Sequence, residues 1–325
     1  MNHAEIAGTG SYVPQKIMTN EDLERIVDTS DEWILSRTGI RQRRISEGEN
    51  TSSLAAKAAI KALEDAKMDA DDLDLIIVAT VTQDTFTPSV SCLVQVEIGA
   101  KNASCFDITA GCSGFIYGIN IGTQFINSGQ YKNILVIGAE VLSKVTNWED
   151  RNTCVLFGDG AGAVVLKASD NKGIISVYMG ASGDENRYLE IPGIEVNNPF
   201  SPEVISKPSY IKMNGLEIFK FATKIIRKSF KNVLQNTDYS LDDIKYIIPH
   251  QANYRIINHV AQKAKIDINK FYLNLEKYGN TSSASIGIAL DEMNKKGLLS
   301  KDDKIIMVGF GGGLTWGAIL LKWNK

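Results

Sequence analysis

Lys132-Asn133-Ile134-Leu135-Val136-Ile137-Gly138 and Asp303-Lys304-Ile305-Ile306-Met307-Val308-Gly309 are two versions of one strand, set 171 positions apart. The same spacing separates two turns, Asp72-Leu73 and Asp243-Ile244. Each turn follows a helical pattern and leads into a short apolar run: residues 52–67 into 75–81, and residues 216–234 into 245–248. In the first helix the apolar positions Leu54, Ala55, Ala58, Ala62, Leu63 and Ala66 fall at helical spacing. A turn and a strand repeating at one offset indicate a duplicated unit, beyond the Ile/Val richness common to buried strands. The later strands 162–167 and 317–322 repeat at 155 instead, which places an insertion of about 16 residues in the first copy, near 139–157.

Short β-rich runs alternating with helical patterns define an α/β chain whose sheets are covered by helices. The expected organisation is two similar halves, 1–172 and 173–325, with a site where they meet.

The bulk properties narrow the function. A net charge of −3 over 325 residues argues against broad nucleic-acid binding, which needs a concentrated positive field. An acidic partner must therefore meet a local basic patch. No run approaches the roughly 18 apolar residues of a membrane helix, and the first residues lack a basic-then-apolar leader pattern, so a cytoplasmic protein is expected. Cys92, Cys105, Cys112 and Cys154 are scattered without a C-x-x-C pair, which fits neither a disulfide framework nor a metal site. Histidine is limited to His3, His250 and His259.

Of the cysteines, Cys112 stands out. In Ala110-Gly111-Cys112-Ser113-Gly114-Phe115 an extended segment reaches small residues and a helix start, and a helix N-terminus favours thiolate. Thiolate is the form that attacks thioesters. The other three cysteines read as packing residues, the common fate of this side chain. His250 lies just past the end of a strand, where ligands bind in open α/β sheets, ahead of a helix carrying Asn253 and Arg255. At the 171 offset its counterpart is Ala79, so one half has an imidazole where the other has a methyl. Asn280, in Gly279-Asn280-Thr281-Ser282, is either a helix N-cap or a carboxamide aimed at a reacting carbonyl. The glycines of 309–313 and 158–162 precede strands rather than helices, so they are not dinucleotide loops. They permit close backbone approach, and a bare N–H there can serve an oxyanion.

Together, Ala110–Phe115, Phe157–Ala163, His250–Asn253, Gly279–Ser282 and Phe310–Gly313 resemble the β-ketoacyl-acyl-carrier-protein synthase III family, over essentially the whole chain. Thiolases on the same fold use a second cysteine in the C-terminal half, and elongating synthases pair two histidines; this chain offers neither, which leaves an initiating synthase, with a secondary-metabolite condensing relative or a non-decarboxylating acyltransferase of the same fold as the alternative. The resemblance implies a thiolase-like fold of duplicated α/β halves in an α-β-α-β-α layering, and a homodimer using an acyl-CoA primer and malonyl-acyl carrier protein. It implies no metal or redox cofactor. Cys112, His250 and Asn280 would be catalytic, with an oxyanion hole from the N–H groups of Cys112 and Gly312. Trp33, Arg37, Arg151 and Asn253 match positions that hold CoA or substrate, and Lys220, Arg255 and Lys263 match a patch for the carrier protein. Three departures stand out. Gly287 stands where proline is common. Gly111 replaces the usual alanine and is expected to loosen the turn. Thr87 replaces a phenylalanine that closes the primer pocket from the dimer partner, so a roomier pocket is expected.

Overall fold

The computed structural model describes residues 3–201 and 209–325. The first part of the chain runs through β1 (His3–Tyr12), β2 (Ile17–Thr19), α1 (Asn20–Glu24), α2 (Asp31–Thr38), β3 (Gln42–Arg44) and α3 (Thr51–Ala66). It continues through β4 (Leu75–Ala79), α4 (Val90–Ile98), β5 (Ser104–Ile108), α5 (Gly114–Asn127), β6 (Asn133–Glu140) and β7 (Gly160–Ser169). Then follow β8 (Ile174–Ala181), β9 (Leu189–Glu190), β10 (Lys212–Met213), α6 (Gly215–Leu234), β11 (Tyr246–Pro249) and α7 (Tyr254–Ala264). The chain closes with α8 (Leu275–Tyr278), α9 (Ala284–Lys295), β12 (Lys304–Gly311) and β13 (Thr315–Lys322).

Two mixed sheets organise the molecule, one in the order β1-β7-β6-β4-β5 and the other β11-β12-β13-β8. Their registers repeat at the spacings read from the sequence. Ile76 pairs with Leu135 in one parallel ladder and Ile247 with Ile306 in the other, each 171 positions on. In the antiparallel ladders Ile134 faces Leu166 and Ile305 faces Leu321, so the second partner follows at 155. The drop comes from the connections: residues 141–159 join β6 to β7, whereas 312–314 suffice between β12 and β13.

Strand side chains alternate between two hydrophobic environments. Ile77, Ile134 and Val136 pack inward with Phe115, Ile119, Ile286, Ile305 and Met307, around the central helices α5 and α9. Ile76, Val78, Leu135 and Ile137 face α3 and α4 on the outer side. Across the molecule, Ile306, Val308, Ala318 and Leu320 face α6 and α7. The result is five layers, α-β-α-β-α. Because both faces of β4, β6 and β12 are covered, these strands are continuous apolar runs, each buried side chain contributing roughly 1.5–3 kcal/mol. The packing also brings the N-termini of α5 and α9 to the ends of β11 and β12, so Cys112, Asn280, His250 and Gly311 converge.

Candidate active site

Cys112 lies in a single 3-10 turn, Gly111–Ser113, immediately before α5. The turn is held against the loop after β12. Gly111 has φ +53, and a Cβ there would sit 3.0 Å from both the N and O atoms of Gly312. Glycine therefore fits this left-handed, crowded position, and the expected loosening is not what the geometry gives. A Cβ on Gly311 would come within 2.5 Å of Cys112 N, so the two backbones touch directly. The Thr315 hydroxyl joins the segments, 2.8 Å from Ala110 O and from Ser113 Oγ and 3.0 Å from Gly312 O.

At Cys112 burial works against the helix start. Burial pushes the Cys112 thiol up to about 12, with the nearby Glu140 charge adding to the rise. Ser282 and the cysteine's own backbone N–H pull in the other direction. A dipole effect of a few tenths to 1 kcal/mol at a helix end does not offset full desolvation of a charge.

His250 is fixed by its own backbone and by one side chain. Its N–H donates to Val308 O at 2.8 Å, and the ring stands edge-on to Phe310 with centroids 5.2 Å apart. Nδ1 lies 2.7 Å from Ser285 Oγ, and that oxygen also receives the Gln251 N–H at 3.4 Å. Ser285 Oγ accepts from Gln251 N–H and shares a hydrogen with His250 Nδ1; where the serine supplies that hydrogen, the imidazole hydrogen sits on Nε2. Burial holds the ring well below the usual histidine range, at about 3, so it is a neutral donor.

This has a consequence for stability. Between about pH 3 and 6.5 the unfolded chain binds a proton at position 250 that the folded chain does not, so His250 makes stability rise with pH through that window. Acidification from pH 7 to 4.5 should accordingly lower the melting temperature of the wild type more than that of His250→Gln. Equal acid shifts in parallel thermal melts would contradict the assignment.

Asn280 caps no helix. Its backbone pairs across to Leu156 O and Gly158 N at 2.8 and 3.0 Å, and its Oδ1 accepts from Ser282 N at 2.8 Å. With the oxygen engaged, the Nδ2 hydrogens are left for the cavity that Asn280 lines.

Cys112, His250 and Asn280 line one cavity of about 500 Å³, with Phe310 and Gly311 at its base. Trp33, Arg37, Asn253 and Arg255 line it further out. Trp33 has two guanidinium groups within 5.2 Å of its ring centroid, those of Arg37 and Arg151. Arg151 does not line the cavity; it bonds Asp28 O at 2.9 Å. Asn253 is the N-cap of α7 rather than part of the helix, and its Nδ2 donates to Arg37 O at 3.1 Å. Lys220 pairs with Glu217 at 2.7 Å, while Lys263 is exposed on α7. The α6 face adds Lys224, Arg227, Lys228 and Lys231, a basic cluster the sequence reading passed over; its signal was the spacing of charges along one helix.

A second cavity, about 740 Å³, opens on the other side of Cys112. Val81, Phe86, Leu142, Val145, Leu189, Ile191 and Ile211 give it an apolar wall. Thr87 is exposed and does not line this cavity of its own chain; its neighbour Phe86 does. Glu140, Ser282 and Ser285 surround the site and were also missed, because hydroxyl and carboxylate partners distant in sequence carry no local pattern.

The layering and the position of the cavities define the class: a thiolase-fold acyltransferase of the condensing type. Profiles described as 3-oxoacyl-[acyl-carrier-protein (ACP)] synthase III and its C-terminal domain match residues 106–183 and 234–323. The chain is 57% identical to the β-ketoacyl-[acyl-carrier-protein] synthase III of Clostridium acetobutylicum over 325 residues, all of both chains. Among solved structures, 3-oxoacyl-[acyl-carrier-protein] synthase III from Aquifex aeolicus VF5 is 47% identical, with a TM-score of 0.92 over 98% of this chain and 100% of that one. The corresponding Pseudomonas aeruginosa PAO1 enzyme is 34% identical, with a TM-score of 0.91 over 99% of each chain. The chain belongs to the 3-oxoacyl-[acyl-carrier-protein] synthase III family.

Proposed function

We propose that this enzyme joins an acyl group taken from acyl-CoA to malonyl-acyl carrier protein with loss of CO₂, giving the β-ketoacyl-acyl carrier protein that starts fatty acid synthesis. The observation that carries the reading is the shared cavity of Cys112, His250 and Asn280. In the first half-reaction the Cys112 sulfur attacks the acyl carbonyl, the N–H groups of Cys112 and Gly312 hold the oxyanion, and CoA leaves as thiolate. In the second, malonyl thioester loses CO₂ and its electrons move onto the thioester oxygen. His250 Nε2–H and Asn280 Nδ2–H donate to that oxygen, a task for a neutral imidazole. The enolate carbon then attacks the acyl carbonyl and expels Cys112. This chemistry requires no metal and no redox cofactor.

Trp33, Arg37 and Arg151 are read as the CoA adenine and phosphate contacts, Asn253 as a polar contact deeper in, and Lys220, Arg255 and Lys263 as carrier-protein contacts. Residues 1–172 and 173–325 are read as the two duplicated halves. A homodimer is supported by β5, a sheet edge whose outer side has no strand partner among the described residues, and by Phe86 and Phe200, 73% and 97% exposed in the isolated chain. Among the described residues no helix is long and apolar enough to cross a membrane, and a cytoplasmic location is part of the proposal.

Mixing the protein with acyl-CoA and malonyl-acyl carrier protein tests the activity. Equal release of CO₂ and formation of β-ketoacyl-carrier protein is the expected result; acyl transfer to another acceptor without CO₂ would refute it. The apolar second cavity and Thr87 give a further expectation for the primer. Branched and longer acyl-CoAs should acylate Cys112 within about tenfold of the acetyl rate, the low end of what a methylene is worth in an apolar pocket. Exclusive use of acetyl-CoA in single-turnover acylation would rule out a roomy pocket.

A further inference from the structure

The carboxamide of Asn280 is only as well aimed as the strip of chain that carries it. Phe157 and Asn280 form an isolated parallel β-bridge, closed by Asn280 N donating to Leu156 O and Gly158 N donating to Asn280 O. Against this bridge packs Arg43, from β3, with none of its surface exposed. Its Nη2 donates to Val155 O at 2.8 Å, and its Nη1 to Asn20 Oδ1 at 2.9 Å and Met18 O at 3.3 Å. Asn20 is anchored in turn, its Nδ2 donating to Asp31 Oδ1 at 2.7 Å and Ile40 O at 2.8 Å. The stem of Arg43 meets the bridge as well. A Cβ on Gly158 would lie 3.2 Å from Arg43 Cβ, and one on Gly279, the residue before Asn280, 3.3 Å from it.

We propose that Arg43 is a positioning residue for the decarboxylating half-reaction: its guanidinium fixes Val155, and through residues 156–158 it fixes the direction in which Asn280 faces the enolate oxygen. The inference rests on Asn280 being a donor to that oxygen. Arg43 itself lines neither cavity and acts only through the bridge.

Packing alone does not account for an arginine at this position. All three of its acceptors are uncharged carbonyl oxygens, and its Nε–H has no partner among the described residues. Burial lowers the guanidinium to about 10, so it remains a cation at neutral pH. A buried charge held by neutral groups is costly, and an apolar side chain would fill the same space without that penalty. What an apolar chain cannot do is tie residues 18–20 to residue 155 through a rigid fork of donors. The two points that Arg43 holds also flank the bridge. Val155 precedes Leu156, whose oxygen takes the Asn280 N–H, and Gly279 precedes Asn280 itself, so a shift at either reaches the carboxamide within a residue or two. Cys112 is secured elsewhere, by Gly311, Gly312 and Thr315, so the two half-reactions should respond differently to the loss of Arg43.

The test reads both half-reactions on one preparation: CO₂ release from saturating malonyl-acyl carrier protein, and acyl-enzyme formation from saturating acyl-CoA. Arg43→Met keeps an apolar stem and removes the guanidinium. It should lower CO₂ release by at least about fivefold, because a small misplacement of a catalytic group costs up to about 100-fold, while acylation of Cys112 stays within about twofold of wild type. In an Asn280→Ala background there is no carboxamide left to aim, so the same Arg43→Met change should alter CO₂ release by less than about twofold. An arginine that only supports the fold would lower both half-reactions together, and its effect would multiply with that of Asn280→Ala. If Arg43→Met does not fold by circular dichroism, Arg43→Lys decides by the same coupling: its loss of CO₂ release must vanish in the Asn280→Ala background. A loss below about fivefold from folded Arg43→Met, an equal loss of acylation, or a loss that persists without the carboxamide overturns the proposal. Those outcomes leave Asn280 as a donor; only if Asn280→Ala by itself leaves CO₂ release unchanged does that role fail, and the role of Arg43 with it.

Discussion

Cys112→Ala is expected to abolish acyl transfer from acyl-CoA while preserving CO₂ release from malonyl-acyl carrier protein. In the proposed mechanism the two half-reactions draw on different atoms. Acylation forms a bond to Cys112 Sγ, and with a methyl in its place the oxyanion donors have no tetrahedral intermediate to hold, so the loss should reach at least about 10⁴-fold. In that mechanism decarboxylation draws on His250 and Asn280, whose side chains are held by Ser285 Oγ and by Ser282 N rather than by the thiol. Alanine also suits a buried position 8% exposed, so the fold should survive. Intact-mass measurement after mixing with acyl-CoA, beside labelled CO₂ release on the same preparation, separates the two activities. Simultaneous loss of both from a folded variant would contradict this division.

The second large effect belongs to Asn280→Ala and runs the other way. Its carboxamide oxygen is occupied by the Ser282 N–H, which aims the Nδ2 hydrogens at the cavity. Removing one donor to a developing oxyanion typically costs about 10²–10³ in rate, so CO₂ release and condensation should fall by that much. Acylation of Cys112 should stay within a few-fold of wild type. Asn280→Asp should be worse for decarboxylation than Asn280→Ala, because a carboxylate replaces a donor with negative charge facing the enolate oxygen. The pair of variants, assayed for CO₂ release and for acyl-enzyme formation, checks both sign and order.

Much of the fold can be read from the chain because buried strands and amphipathic helices write their periods locally. The runs at 132–138 and 303–309 announce doubly covered strands, and their 171-residue spacing reappears as the ladder registers of the two sheets. The insertion inferred from the shorter spacing is the connection 141–159. Cys112, His250 and Asn280 were visible for a related reason: each stands beside glycine or proline at a strand end or helix start, where the chain has a local signature.

What the sequence withheld depends on long-range packing. The helix start ahead of Phe115 pointed to a low thiol affinity for protons, yet the neighbours that bury Cys112 come from Gly311 and Ser282, some 170–200 residues away. Gly111 looked like a loosened turn until Gly312 was seen beside it. Glu140 reads as the polar end of a strand, and only the folding of Val81, Thr82, Ser282 and Ser283 around it reveals a buried acceptor. The wall of the second cavity is likewise assembled from Val81, Leu142, Leu189 and Ile211, which share no periodicity.

The most direct trial is to incubate the wild-type protein with one acyl-CoA, digest it, and locate the adduct by mass spectrometry. A single acyl group per chain, on the peptide containing Cys112 and labile to hydroxylamine as a thioester, is the predicted result. An adduct on Cys92, Cys105 or Cys154, or no covalent acyl group at all, would contradict it.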